Sequence, residues 1–329
     1  MSANDIQKVI IFGATGAIGT SLAEYLSHEH PQWEILAVSR NPSSPSRLQT
    51  LKLPNVKIVQ GDSFDKTKLM EISSDCDIIY SCIGFVKYER KCWAKHWPLT
   101  VDNLLAAVVD TSGTNKKKKL VFCVNLYAYG NPSNAKISPK TTPVEASLNS
   151  KPNIRALIRQ TFEKHIQEHP NTCTVVGGTD FFGPHVTSTS FLGDTMTGKI
   201  VGGSSALAIG SADKIHDFCF VADFAKALAV ASVNDAAYDH FWICPHAIHG
   251  KTMRQIATDI ATHANQPAPK VTVTGKWMVK GLSPFLGLMK EMKEMLVLWT
   301  EDYDIDDSEF IKAFGVQATP YDKALEANV

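Results

Sequence analysis

Apolar residues enter this chain in short, regularly spaced blocks. Residues 8–12 (Lys-Val-Ile-Ile-Phe), 34–38, 56–60, 77–84, 120–124 and 172–178 are runs rich in Val, Ile and Leu. They are nearly continuous rather than alternating, which is the pattern of a strand covered on both faces. Between them, segments such as 20–26, 97–109 and 154–168 carry apolar residues at helical spacing. Strands alternating with helices predict parallel βαβ units joined by right-handed crossovers. The expected class is α/β, a Rossmann-like doubly wound parallel sheet. Beyond the sixth run the alternation loosens into short strands at 218–221 and 240–244 and helices at 222–234, 252–265 and 287–300. That reads as a small mixed α/β C-terminal lobe. The expected division is 1–180 for the domain built on this sheet and 181–329 for the smaller lobe, with a strand and helix returning to the first from about 215–235. The stretch 131–153, rich in Pro, Ser, Asn and Lys, reads as an ordered loop over the sheet edge.

The first strand leads directly into Gly13-Ala14-Thr15-Gly16-Ala17-Ile18-Gly19 and then a helix. Strand, glycine turn and helix in that order form a phosphate cradle. Gly13 permits the turn, Gly16 lets the backbone approach a pyrophosphate, and Gly19 lets helix and strand pack closely. The helix N-terminus adds free N–H groups and a positive dipole end. Thr15, Ala17 and Ile18 belong to the same cradle. The second strand ends in Ser39-Arg40, where an acid would bind the adenosine ribose and repel a 2′-phosphate. A guanidinium there pairs with that phosphate, so NADP is the expected cofactor and NAD the less favoured one. Asp62 and Ser63, past the third strand, fall beside the adenine pocket. Cys82, Ile83 and Gly84, at the end of the fourth, fall where backbone meets cofactor.

Composition narrows the partners. Apolar residues are 44% and charged residues 20% of the 329, enough for an ordinary soluble core. Lys+Arg and Asp+Glu balance at 33 each, so charge offers no argument for nucleic acid or an anionic membrane. The run Lys116–Lys119 reads as a solvated loop rather than a binding patch. Seven cysteines are scattered without a Cys-x-x-Cys pair, so neither a disulfide framework nor a zinc site is expected. His240, His246 and His249 cluster in sequence without a neighbouring acid, and no metal is expected there. No run reaches membrane-spanning length, and the first apolar block is too short for a secretory leader. The expected setting is cytoplasmic.

These residues resemble the extended short-chain dehydrogenase/reductase superfamily, of the NAD-dependent epimerase/dehydratase type. The resemblance rests on Gly13–Gly19, Gly61-Asp62, Asp102-Asn103-Leu104-Leu105, Tyr129-Gly130, Asp180-Phe181-Phe182-Gly183-Pro184 and 216–223 with 225–228. It implies cofactor contacts at Thr179 and Phe181 as well, and a homodimer paired through helices near 97–110 and 154–168. Members use a Ser after the fifth strand and a Tyr-x-x-x-Lys on the next helix. Here those positions hold Asn125, Lys151 and Arg155, and no Tyr-x-x-x-Lys occurs in 140–170. Tyr127, at the carboxyl end of the fifth strand, is either an aromatic wall over the nicotinamide or the candidate acid/base, its phenolate favoured if Lys151 and Arg155 lie close. Lys151 is a second proton donor or anion site, or else a solvated loop lysine, Asn125 a hydrogen-bond partner for substrate or cofactor, and Arg155 a ribose contact or a solvent-facing residue. His216 stands where nucleotide-sugar enzymes of the type carry Arg, which disfavours such substrates. The Met- and Leu-rich stretch 285–298, with Trp277, Trp299 and Tyr303, reads as core or as a lid over an apolar substrate. The leading expectation is an NADP-dependent oxidoreductase acting on a small carbonyl or hydroxyl compound. A catalytically silent NADP(H) sensor or scaffold, and an epimerase using transient oxidation, are the alternatives.

Overall fold

The computed structural model describes residues 6–85, 89–110, 117–130, 135–144, 146–187, 190–275, 291 and 293–329. Strands β1 (Lys8–Phe12), β2 (Glu34–Ser39), β3 (Val56–Gln60), β4 (Ile78–Ser81), β5 (Lys119–Asn125) and β6 (Cys173–Gly178) follow one another along the chain. With β10 (Phe241–Ile243) they form a seven-stranded sheet of order β3-β2-β1-β4-β5-β6-β10. Every pairing in it is parallel. The doubly wound class is therefore observed.

Side-chain alternation explains how continuous apolar runs serve two faces. In β1, Val9 and Ile11 join the cluster with Leu22 and Leu26 of α1 (Ala17–Glu29) and Phe224 and Leu228 of α7 (Val221–Val233). Ile10 and Phe12 point the other way, toward Trp97 and Leu104 of α4 (Arg90–Val109) and Phe162 of α5 (Lys151–Glu168). Helix α4 starts earlier than its spacing predicts and runs through Pro98. Trp93 and Trp97, 4% and 1% exposed, anchor its opening turns by burial, which outweighs the cost of one interior proline. The lysine run is not wholly solvated. Lys118 is buried, and its Nζ donates to the carbonyls of Ala107 and Asp110 at 3.0 and 2.7 Å, closing the end of α4.

A third cluster holds the lobe. Two small parallel sheets, β7 (Asp180–Phe182) with β9 (Phe218–Phe220) and β8 (Ala206–Gly210) with β11 (Val271–Gly275), share it with α8 (Met253–His263). These short strands, and helices Ser308–Phe314 and Tyr321–Glu326, have too few residues to register as periodic blocks. Met295, Leu296, Leu298 and Trp299 are buried in the lobe core rather than spread as a lid. Of the predicted helix 287–300, Val297–Thr300 is helical; Trp277, Phe285, Leu286, Gly287, Leu288, Met289 and Met292 lie outside the described residues. Among the described residues no helix is long and apolar enough to cross a membrane.

Candidate active site

The strand order reverses direction at β1, which has β2 on one side and β4 on the other. Open α/β sheets receive ligands outside the carboxyl ends of their strands at this point. Gly13 leaves β1 there with φ +79°, and a Cβ on it would collide with the Cys82 carbonyl beyond β4. A Cβ on Gly19 would collide with the Gly13 carbonyl. Gly16 differs: its nearest neighbour to an added Cβ is the Gly13 oxygen at 3.4 Å, and the residue is exposed. Two glycines therefore answer to packing, and the third faces outward. Gly16 is the N-cap of α1, with no side chain capping it and no acid in the first turn. The opening N–H groups of α1, from Ala17, Ile18 and Gly19, thus lack intrahelical partners, and exposed Thr15 borders them. The Thr20 hydroxyl donates to Ala14 O at 3.0 Å and pins the loop from below.

Along the same edge, Arg40 is exposed and forms no ion pair among the described residues. The Ser39 hydroxyl accepts from Asn41 N at 3.3 Å. Asp62 accepts from Phe64 N at 3.0 Å, and Asn103 of α4 donates to Ser63 O at 2.8 Å, so the turn after β3 is held in shape. Cys82 is buried, Ile83 packs on the α4 side, and Gly84 has open space around it. Further across, buried polar atoms stand without hydrogen-bond partners among the described residues: Ser81 Oγ at the end of β4, Asn125 Oδ1 at the end of β5, and Thr179 Oγ1 after β6. Buried polar atoms are normally paired, so this row fits a polar ligand lying over the strand ends. Phe181 turns its ring edge-on to Phe224 at 4.9 Å. A cavity of about 260 Å³ opens beside Asn125, lined by Tyr129, Arg155, Arg159, Phe162 and Phe241.

The catalytic half differs from expectation in its pairings. Lys151 is not solvated; it is 0% exposed, with Nζ paired to Glu291 and 3.7 Å from Glu294. Its backbone N–H donates to Glu294 Oε2 at 3.0 Å. Arg155 is 5% exposed and its guanidinium lies over the rings of Trp97 and Trp93, at 4.0 and 4.8 Å. Arg155 therefore does not face solvent, the alternative to a ribose contact. Trp93 also stacks on Tyr127 with ring centroids 6.3 Å apart. The Tyr127 hydroxyl donates to Asp180 Oδ1 at 3.1 Å. Asp180 Oδ2 in turn lies 2.9 Å from His216 Nε2. The spacing of the family motifs named Asp180 and His216 but gave no sign that they meet Tyr127; they lie 53 and 36 residues apart in sequence from their partners.

The histidine cluster also rearranges. His240 is exposed against Trp242, away from the other two. Acids absent from the local sequence close on His249, with Nδ1 3.0 Å from Asp217 Oδ2 and Nε2 2.9 Å from Asp307 Oδ2. Burial opposes a charge on His249, but these hydrogen bonds and carboxylates outweigh it and raise its pKa to about 10. Asp307, itself disfavoured by burial, is held below the usual carboxylate range by its histidine neighbours. His246 Nε2 accepts from Thr179 N at 3.2 Å. Ligand atoms of Cys219, Cys244 and His246, and of His246, His249 and Asp307, lie within 4.8 Å of one another. Direct contacts such as the 3.0 Å approach of the Cys219 and Cys244 sulfurs account for that closeness.

Known proteins resemble the chain at two levels. The sequence profile described as the NAD dependent epimerase/dehydratase family matches residues 9–244. A solved dTDP-glucose 4,6-dehydratase from Bacillus anthracis, in complex with NAD, superposes with TM-score 0.77 at 14% identity, covering 98% of this chain and 95% of that one. UDP-glucuronic acid 4-epimerase from Bacillus cereus, also with NAD, gives TM-score 0.75 at 13% identity, covering 98% and 97%. At such identities the likeness speaks to fold alone. A 1-deoxy-D-xylulose 5-phosphate reductoisomerase from Halothermothrix orenii is 53% identical over 38 residues, only 12% of this chain and 10% of that protein.

Proposed function

The chain belongs to the NAD-dependent epimerase/dehydratase family, and from that premise we propose that it is an NADP-dependent oxidoreductase acting on a small carbonyl or hydroxyl compound. The observation that carries the reading is the glycine loop with its outward Gly16, an uncapped helix N-terminus, and exposed Arg40 on the same sheet edge. The pyrophosphate would lie on the α1 N-terminus, and Arg40 would meet the adenosine 2′-phosphate. Asn125 and Thr179 offer buried polar atoms for the nicotinamide end. A bound nicotinamide dinucleotide supplies or accepts the hydride. Tyr127, at the carboxyl end of β5, then gives the substrate oxygen its proton or takes it away. Asn125 orients that oxygen. The stacked position of buried His216 against Trp299, at 4.0 Å, leaves no cationic clamp for a nucleotide-sugar diphosphate there. That favours a small substrate.

A sensor that binds NADP(H) without turnover is the second reading, favoured by the engagement of Lys151 with Glu291 and Glu294. Fluorescence titration with NADPH and NADH separates the cofactor question from the chemical one. Arg40→Ala is expected to weaken NADPH about 10- to 100-fold, the worth of one charge-assisted contact, while NADH binding stays within about twofold. Tighter binding of NADH than NADPH by the wild type would refute the NADP assignment. Turnover of NADPH with small aldehydes and ketones supports the oxidoreductase. Tight binding without turnover of any of them supports the sensor.

A further inference from the structure

We propose that Asp180 and His216 are positioning residues that form a proton relay behind Tyr127. The catalytic meaning of the relay rests on the oxidoreductase reading above; its existence rests on geometry. Three elements meet to build it. Tyr127 follows β5, Asp180 opens β7, and His216 precedes β9, which pairs with β7 through Asp180 and Phe218. The Tyr127 hydroxyl donates to Asp180 Oδ1 at 3.1 Å. His216 then contacts two acceptors, Asp180 Oδ2 at 2.9 Å and the Leu298 carbonyl at 3.1 Å.

A carbonyl oxygen only accepts, so the Nδ1 contact requires a proton on Nδ1. The Nε2 contact with a carboxyl oxygen requires one more, shared between ring and carboxyl. The Asp180–His216 pair therefore stores a proton one hydrogen bond away from the phenol. The ring cannot turn to release it. His216 is 2% exposed and enclosed by Trp299 at 4.0 Å, Phe218 at 4.7 Å and Tyr303 at 5.0 Å. Asp180 is 18% exposed, so exchange with solvent passes through its carboxyl.

In the reducing direction, hydride adds to the carbonyl carbon and the Tyr127 O–H bond breaks as its proton goes to the carbonyl oxygen. The proton shared with His216 passes to the Asp180 carboxyl, whose rotation presents it to the phenolate, and the Asp180–His216 pair recovers one from solvent. One hydride and one proton are consumed per alcohol formed. Other ionisable groups nearby are Tyr303, which feels Asp180, Tyr129 and Asp217, and Arg155, whose guanidinium lies over the Trp93 ring that stacks on Tyr127. Burial, helped by the nearby carboxylates, pushes the Tyr303 hydroxyl up, so it does not compete as a donor of protons.

The test pairs kinetics with a readout that needs no substrate. NADPH-dependent reduction of small aldehydes and ketones is measured from pH 5 to 9 in wild type, H216Q, D180N and Y127F. H216Q and D180N are expected to keep NADPH binding and KM within about twofold. Their kcat should fall about 10²-fold, the usual scale of acid–base assistance, with the alkaline limb moved to lower pH. Y127F should lose turnover more completely. Profiles of H216Q that superimpose on wild type overturn the relay. In parallel, nitrogen-15 histidine spectra of the wild type should show a proton at each His216 ring nitrogen, the Nε2 one lost or shifted in D180N. An unprotonated Nδ1 overturns the relay whatever the kinetics. Wild type that turns over no carbonyl, yet shows both ring protons, overturns the oxidoreductase reading and not the hydrogen-bonded chain.

Discussion

Gly16 and Gly19 occupy one turn and answer to different demands, so the same substitution should separate them. A Cβ on Gly19 collides with the Gly13 carbonyl, and neither backbone segment can move without parting strand from helix. Gly19→Ala is expected to cost about 1–3 kcal/mol of stability, the scale of overpacking, read by urea denaturation. Gly16→Ala meets its nearest atom only at 3.4 Å. It should fold within about 0.5 kcal/mol of wild type and still lose much of its NADPH affinity. His249 gives a second residue-scale prediction. Its pKa rises to about 10 when folded, above an unfolded value of about 6.5. The stabilisation is then complete below about pH 6.5 and fades as pH climbs toward 10. With a side chain 39% exposed, its worth is at most about 1 kcal/mol. His249→Gln should therefore lower Tm by a degree or two at pH 6 and by almost nothing at pH 10. A gap that widened with pH would mean that His249 stabilises the fold as a neutral ring.

At the scale of elements, α4 shows how packing and capping override local preference. Its first turns are held by buried tryptophans, Pro98 interrupts one backbone bond, and Lys118, just before the following strand, closes its far end. Lys118→Met keeps the volume and deletes both hydrogen bonds to the last carbonyls. The expected loss is about 1–3 kcal/mol, two bonds to a charged donor less the desolvation of the amine. Denaturant unfolding with an unchanged slope would check it; a loss under 0.5 kcal/mol would mean that water replaces the lysine. The row of strand ends at β4, β5 and β6 belongs to the same scale. Asn125 ends β5 opposite Gly178, the last residue of β6, whereas β4 ends at Ser81 opposite Phe122.

At the scale of the molecule, residues 291 and 294 tie the lobe's C-terminal segment to the N-termini of two helices. Glu291 accepts from Arg90 N at 2.9 Å at the start of α4, and Glu294 accepts from Lys151 N at 3.0 Å at the start of α5. Carboxylates suit both positive dipole ends and neutralise the buried Lys151 ammonium. The double change Glu291→Gln with Glu294→Gln keeps shape and leaves that charge uncompensated. The expected cost is about 3 kcal/mol, seen as a lower urea midpoint. A double variant as stable as wild type would show that Lys151 does not depend on these carboxylates.

How much was legible follows from distance along the chain. The βαβ order, the glycine cradle and Arg40 are local, because strand burial and turn geometry are set by neighbouring residues. Tyr127 and Asn125 were legible as strand-end residues for the same reason. Their partners were not. Lys151 meets Glu291 across 140 residues, His249 meets Asp307 across 58, and Tyr127 meets Asp180 across 53. Periodicity carries no information about such pairs, since the lobe's short strands and loops set them and leave no repeating pattern. By itself, the sequence determined a parallel α/β sheet with a dinucleotide cradle, because continuous apolar runs and φ-permissive glycines have few other uses. Only the tertiary structure decided which groups surround Tyr127, because a charge is neutralised or a proton shared by whatever folding brings within 3 Å.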